Sequence, residues 1–225
     1  MITEINTQVN LGYKTTNLTI KQVGRVNLLL GKDAARLYHI NNAIGDFAKD
    51  KHELSVVKIS EDWLPYYEET MSRHIKSDKF KYVESAIESA YHGTILTCEP
   101  PSADDWNHSP HVTVTFASST KRPVLLSISS LNRIAGIATL MIDGVDVICI
   151  DNIEKSLPKN RLKEIFEWII NTAIMLNIQV FMTTTDFDTI RAFRNASVAV
   201  MDGNGTSLIR FGDMRSDIFT GILFK

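Results

Sequence analysis

Short apolar runs alternate with amphipathic stretches along most of this chain. Val26-Asn27-Leu28-Leu29-Leu30 is too short for a helix and stops at Gly31, as a buried strand does. Asp33 is placed to cap a helix, and Ala34 to Phe47 reads as that helix. Upstream, Asn17 to Lys21 alternates like a strand, and Leu54 to Ile59 reads as another. Ser60 to Gly93 is mixed, except that Val83, Ala86, Ile87 and Ala90 share one side of a helix over Tyr82 to Tyr91. Glu99 to Pro110 reads as a loop opened by Pro100 and Pro101. Val112 to Phe116 and Val124 to Ile128 flank a Ser/Thr/Lys turn and predict an antiparallel pair.

The last third is the most regular. Leu131 to Met141 is helical, with Leu131, Ile134, Ala135 and Ala138 on one face. Val147 to Ile150 is a buried strand ending in Asp151. After Pro158, Leu162, Ile165, Phe166, Ile169, Ala173 and Leu176 make an apolar helical stripe, while Arg161, Lys163, Glu164 and Glu167 point outward. Ile178 to Met182 is a third buried strand, followed by Thr183, Thr184 and Thr185. A helix covers about Phe187 to Asn195. Ser197 to Met201 and Ser207 to Phe211, joined by Asp202-Gly-Asn-Gly205, predict a hairpin.

Apolar strands alternating with amphipathic helices predict an α/β fold, a mostly parallel sheet with helices on both faces and a smaller antiparallel portion. Ligands on such sheets bind at the carboxyl ends of the strands, where Gly31, Asp151 and Thr183 to Thr185 fall. With 225 residues the chain reads as one domain, residues 1–225, carrying a divergent insert at about 50–125. Lys plus Arg number 24 and Asp plus Glu 26, so the basic excess of a nucleic-acid coat is missing. Lys21, Arg25, Lys32 and Arg36 form a local basic set, read first as surface. Cys149 sits in an apolar run and reads as a buried free thiol. With Cys98 it makes no CxxC or Cys/His metal pattern. His108 and His111 suit no metal motif either, and Trp63 and Trp106 are read as a satellite core or a contact anchor. No apolar run is long enough to span a membrane, and no signal peptide opens the sequence, so a cytoplasmic protein is expected.

Residues 26 to 47 have the strand, Gly, loop, helix order of a P-loop, whose pattern is G-x-x-x-x-G-K-[ST]. Counting from Gly31, Lys32 and Asp33 lie in the loop, Arg36 takes the second Gly position, Leu37 the Lys position and Tyr38 the hydroxyl position. A one-residue gap would put Arg36 at the Lys position, still without the hydroxyl that holds Mg²⁺. Val147-Ile-Cys-Ile-Asp151 has the Walker B shape, four apolar residues and an acid for the magnesium shell. The next residue, a water-polarising Glu in active enzymes, is Asn152, which has no basic oxygen.

Three segments resemble the ABC-type ATPase heads of the RecF, SMC and OLD-nuclease group, the AAA-15 and AAA-21 ATPases. Asn17 to Ile40 is similar to that family's strand pair, P-loop and first helix. Ser127 to Glu154 is similar to its signature helix and Walker B, and Asn177 to Ala196 to its switch strand, typically Q-V-F-x-T-T-H-S. The resemblance covers about a third of the chain. Gly31, Lys32, Arg133, Asp151, Glu154, Gln179, Thr183 and Thr184 match it. The departures fall on chemistry. The phosphate-binding Lys is Leu37 or Arg36, the catalytic Glu is Asn152, the switch His is Thr185, and the signature Gly is Ser130 in Ser129-Ser130-Leu131-Asn132-Arg133. Each such loss typically costs about two to four decades in rate.

The resemblance therefore implies a pseudo-ATPase acting through protein contact, with no cofactor and with Asp151 as a doubtful metal ligand. Its partner would be an ABC-type ATPase or a second copy, since active relatives dimerise head to head around nucleotide. The small size suits a phage or mobile-element factor acting on a host ATPase complex. One alternative is a working ATPase, using ATP and Mg²⁺ with Arg36 at the phosphates. A second is a DNA-associated factor, which the near-neutral charge disfavours. Glu154, beside Lys155 and Lys159, is expected in a solvated loop.

Overall fold

The computed structural model describes residues 1–60, 73–74, 76–91, 94–99, 111–116, 128–200, 205–211 and 220–222. Its centre is a six-stranded sheet in the order β10-β9-β3-β8-β7-β4. These strands are β3 (Val26–Leu30), β4 (Val56–Ile59), β7 (Val147–Ile150), β8 (Gln179–Thr184), β9 (Thr206–Arg210) and β10 (Thr220–Ile222). All neighbours pair in parallel except β9 with β10. A second sheet is the antiparallel pair β1 (Glu4–Asn10) and β2 (Thr15–Lys21), and a third pairs β5 (Thr94–Glu99) with β6 (His111–Phe116).

The central strands read as unbroken apolar runs because both of their faces are covered. Every residue of β3, β7 and β8 is buried. Alternation sorts their side chains. Leu28, Leu30, Ile148, Ile150, Val180 and Met182 face one core with helices α2 (Phe80–Ala90), α3 (Ile128–Ile142), α4 (Leu162–Met175) and α5 (Phe187–Ala199). Leu29, Val147, Cys149, Phe181 and Ile209 face the other, under α1 (Ala34–His52) and the β1–β2 pair. The chain is thus an α/β protein with a parallel sheet between helical layers.

A buried amide network locks the amino-terminal end of this sandwich. Gln179 Oε1 accepts from the Ile2 N–H at 2.9 Å, while its Nε2 donates to Ile2 O at 2.8 Å and Gly24 O at 2.7 Å. Asn27 donates to Gly24 O and Val180 O and accepts from the Gly24 N–H. The first strand was not evident from its sequence; it pairs with β2, and Gln179 holds Ile2 just ahead of it.

Several elements differ from the expectation. The hairpin over 197–211 does not form: Ser197 to Ala199 are the last turn of α5, and β9 runs parallel beside β3. The strand at 111–116 takes 94–99 as its partner, and Ile128, placed in a strand by its sequence, begins α3. Short apolar runs flanking a turn signal do not by themselves name their partners. Helix α1 continues to His52, where Glu53 ends it in the left-handed region. Trp63, Trp106 and His108 lie outside the described residues.

Candidate functional site

The carboxyl ends of β3, β8 and β7 stand side by side. Leu30 pairs with Thr184 and Ile150 with Met182, so the residues just beyond them share one edge. Gly31 to Asp33, Asp151 to Glu154 and Thr183 to Thr185 converge there, as their order in the sequence predicts.

The link from β3 to α1 is only Gly31, Lys32 and Asp33, since α1 begins at Ala34. In the G-x-x-x-x-G-K pattern the helix begins near the second Gly, so this loop is about two residues shorter than a phosphate cradle. The helix end is also occupied. Asp33 caps α1, its Oδ1 accepting from the Arg36 N–H at 3.2 Å. A helix N-terminus attracts anions through such N–H groups, and here the protein's own carboxylate has taken one. Leu37, at the phosphate-lysine position, is 2% exposed and turned inward. A Cβ on Gly31 would lie 3.1 Å from its Cδ2. Arg36 is engaged locally: its Nε is 3.1 Å from Asp33 Oδ2, and its Nη2 donates to the Tyr13 hydroxyl at 2.8 Å. The guanidinium also lies 5.8 Å from the centre of the Tyr13 ring. Lys32 is exposed in the loop, and Tyr38 is 42% exposed on α1.

Beyond β7, Thr183 Oγ1 donates to Asp151 Oδ1 at 2.7 Å and accepts from the Asn152 N–H at 2.8 Å. Asn152 has φ of 46°, in the left-handed region that Asn tolerates better than most residues. Arg133, only 3% exposed, reaches from α3 to this edge. It donates to Ser60 O at 2.6 Å, Asp151 O at 2.8 Å and Asn152 O at 3.4 Å. Ser129 and Ser130 lie in the first turn of α3. Thr185 follows β8 and is exposed.

Glu154 corrects the expectation of a solvated loop. It is half-buried, and its Oε1 accepts from Thr184 Oγ1 at 2.9 Å. Burial pushes its carboxyl above the ordinary 4.5, partly offset by hydrogen bonds from its own backbone and Thr184. The nearby lysines suggested solvent, whereas the β8 hydroxyl row draws the carboxylate inward.

The Cys149 expectation holds: the thiol is free and buried, and burial pushes its pKa up to about 12. No cluster of three metal-ligating side chains occurs among the described residues. None of the described helices is long and apolar enough to cross a membrane. Sequence reasoning passed over Tyr13 and the buried Asn41. The latter signals itself as an amide four residues after Leu37 and three before Ile44, inside the apolar stripe of α1. It lines a cavity of about 330 Å³ between α1 and the ends of β4 and β7.

Two of the solved structures to which the backbone is similar carry the comparison. One is an SMC head bound to the C-winged-helix domain of ScpA, at a TM-score of 0.59 and 9% identity, covering 99% of this chain and 98% of that one. The other is cbiO1 from Clostridium perfringens, part of the ABC transporter complex cbiONQ, at a TM-score of 0.50 and 14% identity, covering 92% and 83%. The chain has the fold of an ABC-type ATPase head. No protein-family model matches its sequence, and no curated protein matches it.

Proposed function

We propose that this ABC-type head has lost ATP turnover and works through contact with another protein. The observation that carries this reading is the β3–α1 link. It is too short to wrap a phosphate, its helix end is capped by the Asp33 carboxylate, and Leu37 is folded beneath Gly31. Asn152 in place of a base, and Thr185 in place of the switch His, support the same conclusion. The alternative in which Arg36 grips phosphate is disfavoured, because its guanidinium is held by Asp33 and Tyr13.

What remains is a shaped surface. Active heads of the resembled family pair face to face, with nucleotide between the P-loop of one and the signature helix of the other. A head without that grip would occupy the face of an active ATPase and block it, or pair with its own copy. A phage or mobile-element factor acting on a host ATPase complex is the setting this reading favours. The solved SMC head carries a winged-helix domain of another protein, which shows that a head of this fold can seat a partner domain.

Titration with a fluorescent ATP analogue, with and without Mg²⁺, tests the loss of nucleotide chemistry. The expected result is no saturable micromolar binding. Mg²⁺-dependent micromolar binding that Asp151→Ala abolishes would overturn the proposal. Sedimentation velocity over a concentration series then separates self-pairing from dependence on a different partner.

A further inference from the structure

Helix α5 carries a stripe that its core packing does not use. Thr189, Ile190, Phe193 and Ala196 are its buried positions. Phe193 meets Phe166 of α4 edge-on, with ring centroids 5.4 Å apart. Phe187, Arg191, Arg194 and Val198 recur at intervals of four, three and four residues. At about 100° per residue they fall within about 60° of one another, on the side turned away from the buried set. Phe187 is 75% exposed and Val198 76%. The Arg191 side chain is 79% exposed, and Arg194 is exposed as well. A helix face open to water ordinarily carries polar residues throughout. This one has an aromatic ring at one end, a branched aliphatic group at the other and two guanidinium groups between them.

The stripe starts at the carboxyl edge of the sheet. Asp186, whose Oδ2 accepts from the Thr189 N–H at 3.0 Å to cap α5, comes directly after Thr184 and Thr185, so Phe187 opens the helix beside that edge. From there to Val198 the axis rises about 16 Å. A lone exposed apolar side chain needs no explanation, but aromatic residues and arginine in one patch are the composition of protein interfaces. Asp188 does little to neutralise the stripe. Its Oδ1 is 3.8 Å from Arg191 Nη1 in an exposed pair, where water screens the attraction.

Charge selects the occupant. In a second copy laid antiparallel on the same stripe, Phe187 would meet Val198 of the other copy, but Arg191 would meet Arg194 of the other copy, and the cations would repel. Phosphates of a nucleic acid would use the arginines and leave the ring and the aliphatic group idle, and the chain lacks a basic excess, with 24 Lys and Arg against 26 Asp and Glu. We infer that the outer face of α5 docks an acidic amphipathic helix of another protein, its apolar residues set against Phe187 and Val198 and its carboxylates against Arg191 and Arg194. This deepens the reading that the head works through protein contact, since it names the surface and the chemistry of the partner. A guanidinium pairs a carboxylate through two parallel N–H donors, so the arginines fix the register and the apolar ends supply burial.

The probe is an alanine-based helical peptide of about 16 residues bearing Leu, Glu, Glu and Leu at the spacing of the stripe. Its twin carries Lys for both Glu. Binding is followed through the backbone amide resonances of α5 in the isotope-labelled full chain. The expected result is a saturable shift centred on α5 with the Glu peptide, weakened by salt, and about tenfold weaker binding or worse with the Lys peptide. Arg191→Glu should reverse that preference. Phe187→Ser should weaken binding about tenfold, the factor lost with burial of one ring. Both variants replace exposed side chains, so their melting temperatures should stay close to that of the unaltered chain. Equal responses to the two peptides, shifts centred outside α5, or an unchanged preference in Arg191→Glu would overturn the inference. Duplex DNA that displaces the Glu peptide would overturn it in favour of a nucleic-acid surface. Silence to both peptides would overturn it while leaving the proposed loss of ATP turnover standing. Glu-peptide binding by a chain that also binds the ATP analogue with Mg²⁺ would uphold the docking face and overturn that loss instead.

Discussion

Replacing Gln179 by Leu tests whether the most motif-like residue of the chain is structural. The amide makes three bonds in a pocket where it is 2% exposed, two to the backbone of Ile2 and one to Gly24 O. Leucine fills a similar volume and makes none of them. Gly24 O keeps its bond from Asn27, so the Ile2 N–H and C=O are the two groups orphaned. Each buried unsatisfied group costs about 1–3 kcal/mol, so the expected loss is about 2–4 kcal/mol once some water reaches the chain end. Urea unfolding monitored by intrinsic fluorescence measures it. Hydrogen exchange at the Val23 amide, bonded to Thr3 O, locates it. Gln179→Glu keeps the acceptor for Ile2 but sets carboxylate oxygen against two carbonyls, so it should be worse than Leu. A loss under about 0.5 kcal/mol, the level of an ordinary surface change, would refute the clamp. So would unaltered protection at Val23.

The site gives three further expected outcomes. Because burial raises the Glu154 pKa, the folded state holds a proton that the unfolded chain has released. Stability should therefore fall as pH rises from the ordinary 4.5 through the raised value. Glu154→Gln should flatten that dependence in thermal melts, and parallel wild-type and variant profiles would count against it. Asn152→Glu supplies the residue type that the resembled family carries after its Walker B acid, but places it at φ of 46°, so it should destabilise by about 1 kcal/mol. It should yield no phosphate release in a coupled assay, and release at rates typical of ABC-type ATPases would contradict the shortened-loop argument. Cys149, buried and with its pKa pushed up to about 12, should resist iodoacetamide in the folded protein and react after urea unfolding, as peptide mass spectrometry will show.

The parts of the fold legible in the sequence are those whose burial is two-sided. β3, β7 and β8 announce themselves as apolar runs, and Gly31 and Asp151 mark the ends of the first two, whereas β8 runs on through Thr183 and Thr184. Helix α4 is equally plain, because its stripe from Leu162 to Ala173 repeats at the helical period. Pairing was much less legible. Nothing local to residues 206–210 says that they lie beside a strand near residue 28, and the Asp202-Gly-Asn-Gly205 signal pointed to a nearer partner. At the site, the residue types and their order were readable, but their engagements were not. That Arg36 is taken by Tyr13, and that Glu154 turns in toward Thr184, depends on contacts across 23 and 30 residues of chain.

One guanidinium joins the carboxyl edge of this sheet to α3. Arg133 grasps the peptide oxygens of Ser60, Asp151 and Asn152 at once. The amino-terminal half of that helix is therefore pinned to the ends of both β4 and β7. The guanidinium thus adds a polar tie to the apolar packing of Ile134, Ala135 and Ala138 against the same strands.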